Sequence, residues 1–105
     1  MSDAAKRYLV VIQFKGDTRL SELAKRVPSL QDLISAFSKG EMEQVFRSPE
    51  GLSFGMFFKS ASPDYHMRSE LNRMTINGDS FLLCEVGNLT ANKGLGRPAT
   101  WLQRH

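Results

Sequence analysis

A chain of 105 residues, 41% of them hydrophobic and 24% charged, carries enough apolar material for one core, and its single cysteine excludes a disulfide framework. It contains no apolar run near the ~18 to 20 residues of a membrane span and no charged-then-apolar start, so it reads as one soluble domain of a reducing compartment, the cytoplasm, with no membrane partner. The net charge of +3 is concentrated at one end: every Asp and Glu precedes Asn88, and beyond it stand Lys93, Arg97 and Arg104, with His105 last. A short basic tail of this kind suits an anionic partner such as nucleic acid, or simply keeps the protein soluble.

Residues 1 to 7 are small or polar and read as a disordered start. Tyr8-Leu-Val-Val-Ile-Gln-Phe14 is the clearest strand. Tyr8, Val10, Ile12 and Phe14 alternate with Leu9 and Val11, so both faces need cover. Asp17 is placed to cap a helix bearing Leu20, Leu23, Ala24 and Val27, which Pro28 ends. Ser29-Leu-Gln-Asp32 then resembles a capping box, opening a second apolar stripe at Leu30, Leu33, Ile34 and Phe37 that stops at Ser38-Lys39-Gly40.

The segments from Glu41 to Ser48 and from Leu52 to Lys59 form a hairpin about Ser48-Pro49-Glu50-Gly51. Its first strand mixes charge with apolar residues, as an edge strand does. The second, with Leu52, Phe54, Met56 and Phe58 on one parity, belongs in the sheet centre. Ser62-Pro63 starts a helix whose buried stripe is Met67, Leu71 and Met74, and Asn77-Gly78 closes it. Phe81-Leu-Leu-Cys-Glu-Val86 is the last strand.

This order gives an α+β, ferredoxin-like split β-α-β sandwich (βαββαβ) with an extra helix after the first crossover helix. The first and third strands are expected parallel in the middle of the sheet, with the helices on one face. The other face carries Leu9, Val11, Val45 and Phe57, too apolar to be left to water, so a second copy or the returning tail should cover it. The tail from Asn88 to His105 holds three turn formers, Gly94, Gly96 and Pro98, and then Trp101 and Leu102. A large apolar pair at a terminus points to docking, on the chain's own sheet or on a partner.

Several constellations invite chemistry. Asp17 after the first strand and Asp79 before the last can lie at one sheet end and hold a hard cation, although capping and turn duties explain both. Asp64, His66 and Glu70 lie on one helix, where a surface ion pair is the commoner outcome. Cys84 has no activating partner and reads as a buried small hydrophobe. Gly94-Leu-Gly96-Arg97 lacks the Gly-Lys-Ser/Thr and the strand-loop-helix context of a phosphate loop. Gly51, Phe54 and Phe57 match parts of the RNA-recognition pattern on a third strand, but Glu50, Leu52 and Val10 stand where basic and stacking residues belong.

Leu52-Ser-Phe-Gly-Met-Phe-Phe58, the helix from Ser62 to Met74, Asn77-Gly-Asp-Ser-Phe-Leu-Leu-Cys-Glu-Val86 and the late Trp101-Leu102 resemble the small SinR-like ferredoxin folds, which are similar in turn to CRISPR-associated adaptation nucleases and VapD-type toxins. The resemblance implies a dimer formed through the sheet and, in the nuclease branch, an Asp at the end of strand one. Here Gln13, Phe14 and Lys15 occupy that place, and a lysine at the mouth of an acidic two-metal site repels the cation it needs.

The expectation is therefore a non-catalytic, homodimeric binding module with no cofactor and no metal, associated with nucleic acid in a mobile-element or defence context through Lys93, Arg97 and Arg104. Leu9, Val11, Phe57, Trp101 and Leu102 are the expected interface. A protein–protein interaction or inhibitor module is the alternative, and a metal-dependent phosphodiesterase the least favoured reading.

Overall fold

The computed structural model describes residues 4–105. Four strands and three helices follow one another: β1 (Lys6–Gln13), α1 (Leu20–Ser38), β2 (Met42–Arg47), β3 (Ser53–Ser60), α2 (Asp64–Met74), β4 (Ser80–Glu85) and α3 (Arg97–Arg104). The strands form one sheet in the order β2-β3-β1-β4. Every neighbouring pair is antiparallel, so the class is α+β, compatible with a ferredoxin-like fold. β1 begins at Lys6, two residues before the strand read from the sequence, and residues 1–3 of the expected disordered start lie outside the described residues.

β1 and β3 hold the centre as expected, but they run antiparallel, not parallel. The cause is the hairpin: α1 returns the chain to start β2 parallel to β1, and the tight turn then reverses it into β3, which slots between them. On the core face Tyr8, Val10 and Ile12 stand opposite Phe58, Met56 and Phe54. The Tyr8 and Phe58 rings stack at 5.4 Å. Stiff β-branched and aromatic side chains in cross-strand register make this the rigid floor of the core.

The expected pair of helices after β1 is one helix. α1 runs through Pro28, and its buried residues Leu23, Val27, Leu30, Ile34 and Phe37 form one unbroken stripe. Proline inside a helix costs about 3 kcal/mol. Each of these five side chains gains about 1.5 to 3 kcal/mol on burial, and the stripe aligns only if the helix continues. Leu20 and Ala24, expected on this stripe, are exposed: Leu20 is the first residue of α1, at the stripe's margin, and Ala24 lies about 100° round the helix from Leu23. Asp17 does not cap: Arg19 takes the N-cap position without a side-chain hydrogen bond, and Asp17 sits in a turn closed by the Thr18 N–H donating to the Lys15 carbonyl. Lys39 at φ 53° and Gly40 at φ 84° end the helix in left-handed conformations, as read from Lys39-Gly40.

α2 buries Met67 and Leu71 over the sheet, with Met74 partly covered at the core's edge. Pro63 holds its N-cap position, not Ser62, whose hydroxyl makes no capping bond. In β2 the register slips between Gln44 and Phe46, a bulge at Val45. The bulge reverses the parity, so Phe46 and not Val45 pairs with Gly55 on the far face. Its ring lies so close over Gly55 that a Cβ there would meet a ring carbon at 2.5 Å.

Candidate functional site

The alternation of β1 that builds the core on one side presents Arg7, Leu9, Val11 and Gln13 on the other, and the register lays these out as rows across the sheet. One row is Glu43, Phe57, Leu9 and Cys84. The next is Phe46, Gly55, Val11 and Leu82, one residue from each strand. Beyond it come Ser53, Gln13 and Ser80, a polar border.

The tail covers the first of these rows at the β2–β3 end. Pro98 opens α3, where its missing N–H costs nothing. Leu102 is 1% exposed, and Pro98 and Ala99 are buried with it. Trp101 lies nearly parallel to Phe57, 6.3 Å between ring centres, and the His105 ring stacks on the indole at 4.4 Å. Arg7 ties the cover down from below: Nη1 donates to the Leu102 carbonyl at 2.7 Å and Nη2 to the Gly87 carbonyl at 2.8 Å. Arg97 Nε stands 3.5 Å from Glu43 of β2. Of the two destinations the sequence left open for Trp101 and Leu102, the chain's own sheet is the one occupied.

Helix α3 stops short of the second row. Leu82 is 57% and Phe46 41% exposed, Val11 is half-buried, and a shallow hollow of about 190 Å³ lies along Val11, Gln13 and Leu82. An uncovered apolar belt thus crosses all four strands.

The basic residues expected to act together are divided. Arg97 and Arg104 line one shallow hollow with Trp101 and His105. Lys93 is exposed in the connection before α3, outside that hollow. Arg97 already faces a carboxylate, whereas Arg104 has no ion-pair partner among the described residues. On β3, Phe54 is buried in the core and Phe57 lies beneath Trp101, so neither presents a ring for a base to stack on.

Asp17 and Asp79 are both engaged by cations. Asp79 pairs with Arg26 of α1 and accepts the N–H groups of Lys15, at 2.8 Å, and Ile76, at 3.0 Å. Burial pushes its pKa up, but the hydrogen bonds from Arg26 and the two backbone amides outweigh this and hold the carboxyl below its usual range. Asp17 faces the Lys15 ammonium at 3.7 Å. No group of three or more His, Cys, Asp or Glu side chains placed to hold a metal is present among the described residues. Glu70 pairs with Arg73, not with His66, whose ring meets Phe37 edge-on. Cys84, expected to be buried, is exposed, because β4 is an edge strand and α3 stops before it.

A second polar constellation was not legible in the sequence. Two clefts of about 330 and 320 Å³ meet at Tyr8 and Asp64, between the start of α2 and the β1–β4 edge. The Tyr8 hydroxyl donates to Asp64 Oδ1 at 3.0 Å. Burial, this bond and the charges of Asp64 and Glu85 together push the phenol up to about 12. The periodicity of α2 does place Asp64, Arg68 and Asn72 on one stripe, but only the strand order shows that the stripe overlooks β4.

No protein family model matches the chain, and no curated protein matches its sequence. Among the described residues no helix is long and apolar enough to cross a membrane.

Proposed function

We propose that the chain is a non-catalytic, ferredoxin-like split β-α-β module of the cytoplasm that acts as a homodimer, two copies meeting on the uncovered half of the sheet. The observation that carries this reading is the belt of Phe46, Val11 and Leu82, which the tail leaves open while it covers Phe57 beside it. An apolar strip bordered by Gln13, Ser53 and Ser80 has the pattern of an association surface, and a two-fold axis lets the same strip serve both partners. The residues expected at the interface thus divide: Val11 lies in the proposed contact, while Phe57, Trp101 and Leu102 pack within the chain. Kinship with the SinR-like folds is part of the same proposal, supported by the residue pattern of the β3–α2–β4 segment. Light scattering after size exclusion tests it: two chains per particle at tens of micromolar supports the reading, and a strict monomer ends it.

A second reading, association with nucleic acid, is favoured by one observation. Arg97, Arg104, His105 and Trp101 line a hollow whose one carboxylate, Glu43 of β2, is faced by Arg97, which leaves Arg104 for an anion. Few phosphate contacts are on offer, so affinity should be micromolar at best and fall steeply with salt. Titration with single- and double-stranded DNA and RNA at two salt concentrations tests this, and salt-independent binding or none excludes it.

A further inference from the structure

We propose that the outer edge of β4 takes an extended segment of another protein as a fifth strand, with one of its lysine or arginine side chains lodged between Tyr8, Asp64 and Glu85. This goes beyond self-association and uses a different surface, the sheet's edge and not its face.

The sheet's two edges are treated differently. β2 is broken by the bulge at Val45 and flanked by α3, which guards it against pairing. β4 is Ser-Phe-Leu-Leu-Cys-Glu, with no proline, lysine or bulge, and no strand lies beyond it among the described residues. The Val86 N–H donates to the Arg7 carbonyl at 2.8 Å. Alternation from that bond directs the N–H and C=O groups of the even-numbered β4 residues toward β1, and those of Phe81, Leu83 and Glu85 outward. Outward N–H and C=O groups on alternate residues are the partners an added strand pairs with.

Beside these outward groups lies the cleft of about 320 Å³ under α2, with Phe81 and Leu83, both half-buried, along its β4 side. Its Tyr8 end carries the two carboxylates of Asp64 and Glu85. Asp64 accepts the Tyr8 hydroxyl and has no cation within ion-pair distance among the described residues, while Glu85 has only an exposed contact with Lys6 at 3.5 Å. Burial is the main reason the Tyr8 phenol is held above its ordinary value, and the bond to Asp64 and the charges of Asp64 and Glu85 add to it. A lysine or arginine entering here lays its aliphatic stem on Leu83 and its charge against Asp64. Arg68 lines the cleft one helical turn further on, so the cation belongs at the Tyr8 end, which sets the register of the incoming strand along β4.

The test uses the full chain and two blocked seven-residue peptides of alternating Thr and Val, one with a central Lys and one with a central Glu. Fluorescence anisotropy should show the Lys peptide binding at least about tenfold more tightly, a difference that Asp64→Asn abolishes. In the wild-type protein the Lys peptide should slow amide exchange at Phe81, Leu83 and Glu85. Equal affinities, no binding up to about millimolar peptide, or protection elsewhere would overturn the proposal. So would slow exchange at these three amides that appears without peptide and rises with protein concentration, which would mean that a second copy pairs there.

Discussion

Trp101 of α3 lies within 11° of parallel to Phe57 of β3, 6.3 Å between ring centres, and this stack marks where the tail's cover of the sheet ends. The tail is therefore part of the fold. Replacing Leu102, fully buried beside the stack, with alanine should cost about 2 to 5 kcal/mol, and Trp101→Ala, at a half-buried position, about 1 to 3 kcal/mol. Urea denaturation followed by circular dichroism measures both. Midpoints unchanged from wild type would mean that α3 does not hold its place in solution.

Asp79 and Arg26 join the start of β4 to α1. The side chain of Asp79 is fully buried, and the Arg26 guanidinium lies 4.7 Å from the centre of the Phe14 ring. Arg26 Nη1 is buried with no hydrogen-bond partner among the described residues, so the pair is already incompletely satisfied. Asp79→Asn should cost roughly 3 to 5 kcal/mol by stranding the cation, and adding Arg26→Met should recover much of it, since the Asn oxygen still accepts a backbone amide while no cation is left unpaired. Because the folded-state pKa of Asp79 is depressed, its contribution is present above about pH 4 and is lost as the pH falls through the folded value. A stability profile from pH 7 to pH 2 should fall less steeply at its acid end in Asp79→Asn than in wild type.

Tyr8 gives a spectroscopic readout at the other end of the pH scale. Its folded-state pKa near 12 lies above the ordinary value of 10.0, so the stability linked to it is intact below pH 10 and is lost as the pH rises from 10 toward 12. Ultraviolet titration of Tyr65→Phe isolates the Tyr8 transition, and Asp64→Asn should bring it down. A transition near 10 in the wild-type protein would show that the hydroxyl is not bonded to Asp64.

Cys84 should react with a thiol reagent in the native, dilute protein at a rate close to that of a free thiol, since it is exposed on the edge strand. Stopped-flow labelling checks this. Reaction only after denaturant is added would restore the buried position expected from the sequence.

The sequence carried the strands and much of the helix content because those signals are local. Alternation in Tyr8 to Phe14 and Leu52 to Phe58, the Ser48-Pro49-Glu50-Gly51 turn and the stripe of Met67 and Leu71 all appear where their periodicity places them. What failed depended on partners distant in sequence. Pro28 breaks an isolated helix, and only the shared burial of Leu23 and Phe37 on one stripe shows that it is tolerated here. The bulge at Val45 is set by pairing with β3, so the exposure of Phe46 was invisible along β2 alone. Cys84 looks buried in an apolar run until β4 proves to be an edge. The cleft at Tyr8 and Asp64 joins residues 56 apart in sequence and left no local mark.

Leu82 is the most exposed residue of the belt, and its side chain supports nothing in the core, so it separates association from folding. Sedimentation velocity at tens of micromolar on the wild type and on Leu82→Glu is the most direct test. The wild type should sediment as a particle of twice 11.8 kDa and Leu82→Glu as a folded monomer, because each copy would bury an unpaired carboxylate in the apolar contact. A wild-type protein that sediments at 11.8 kDa, or a Leu82→Glu variant that stays dimeric, would contradict it.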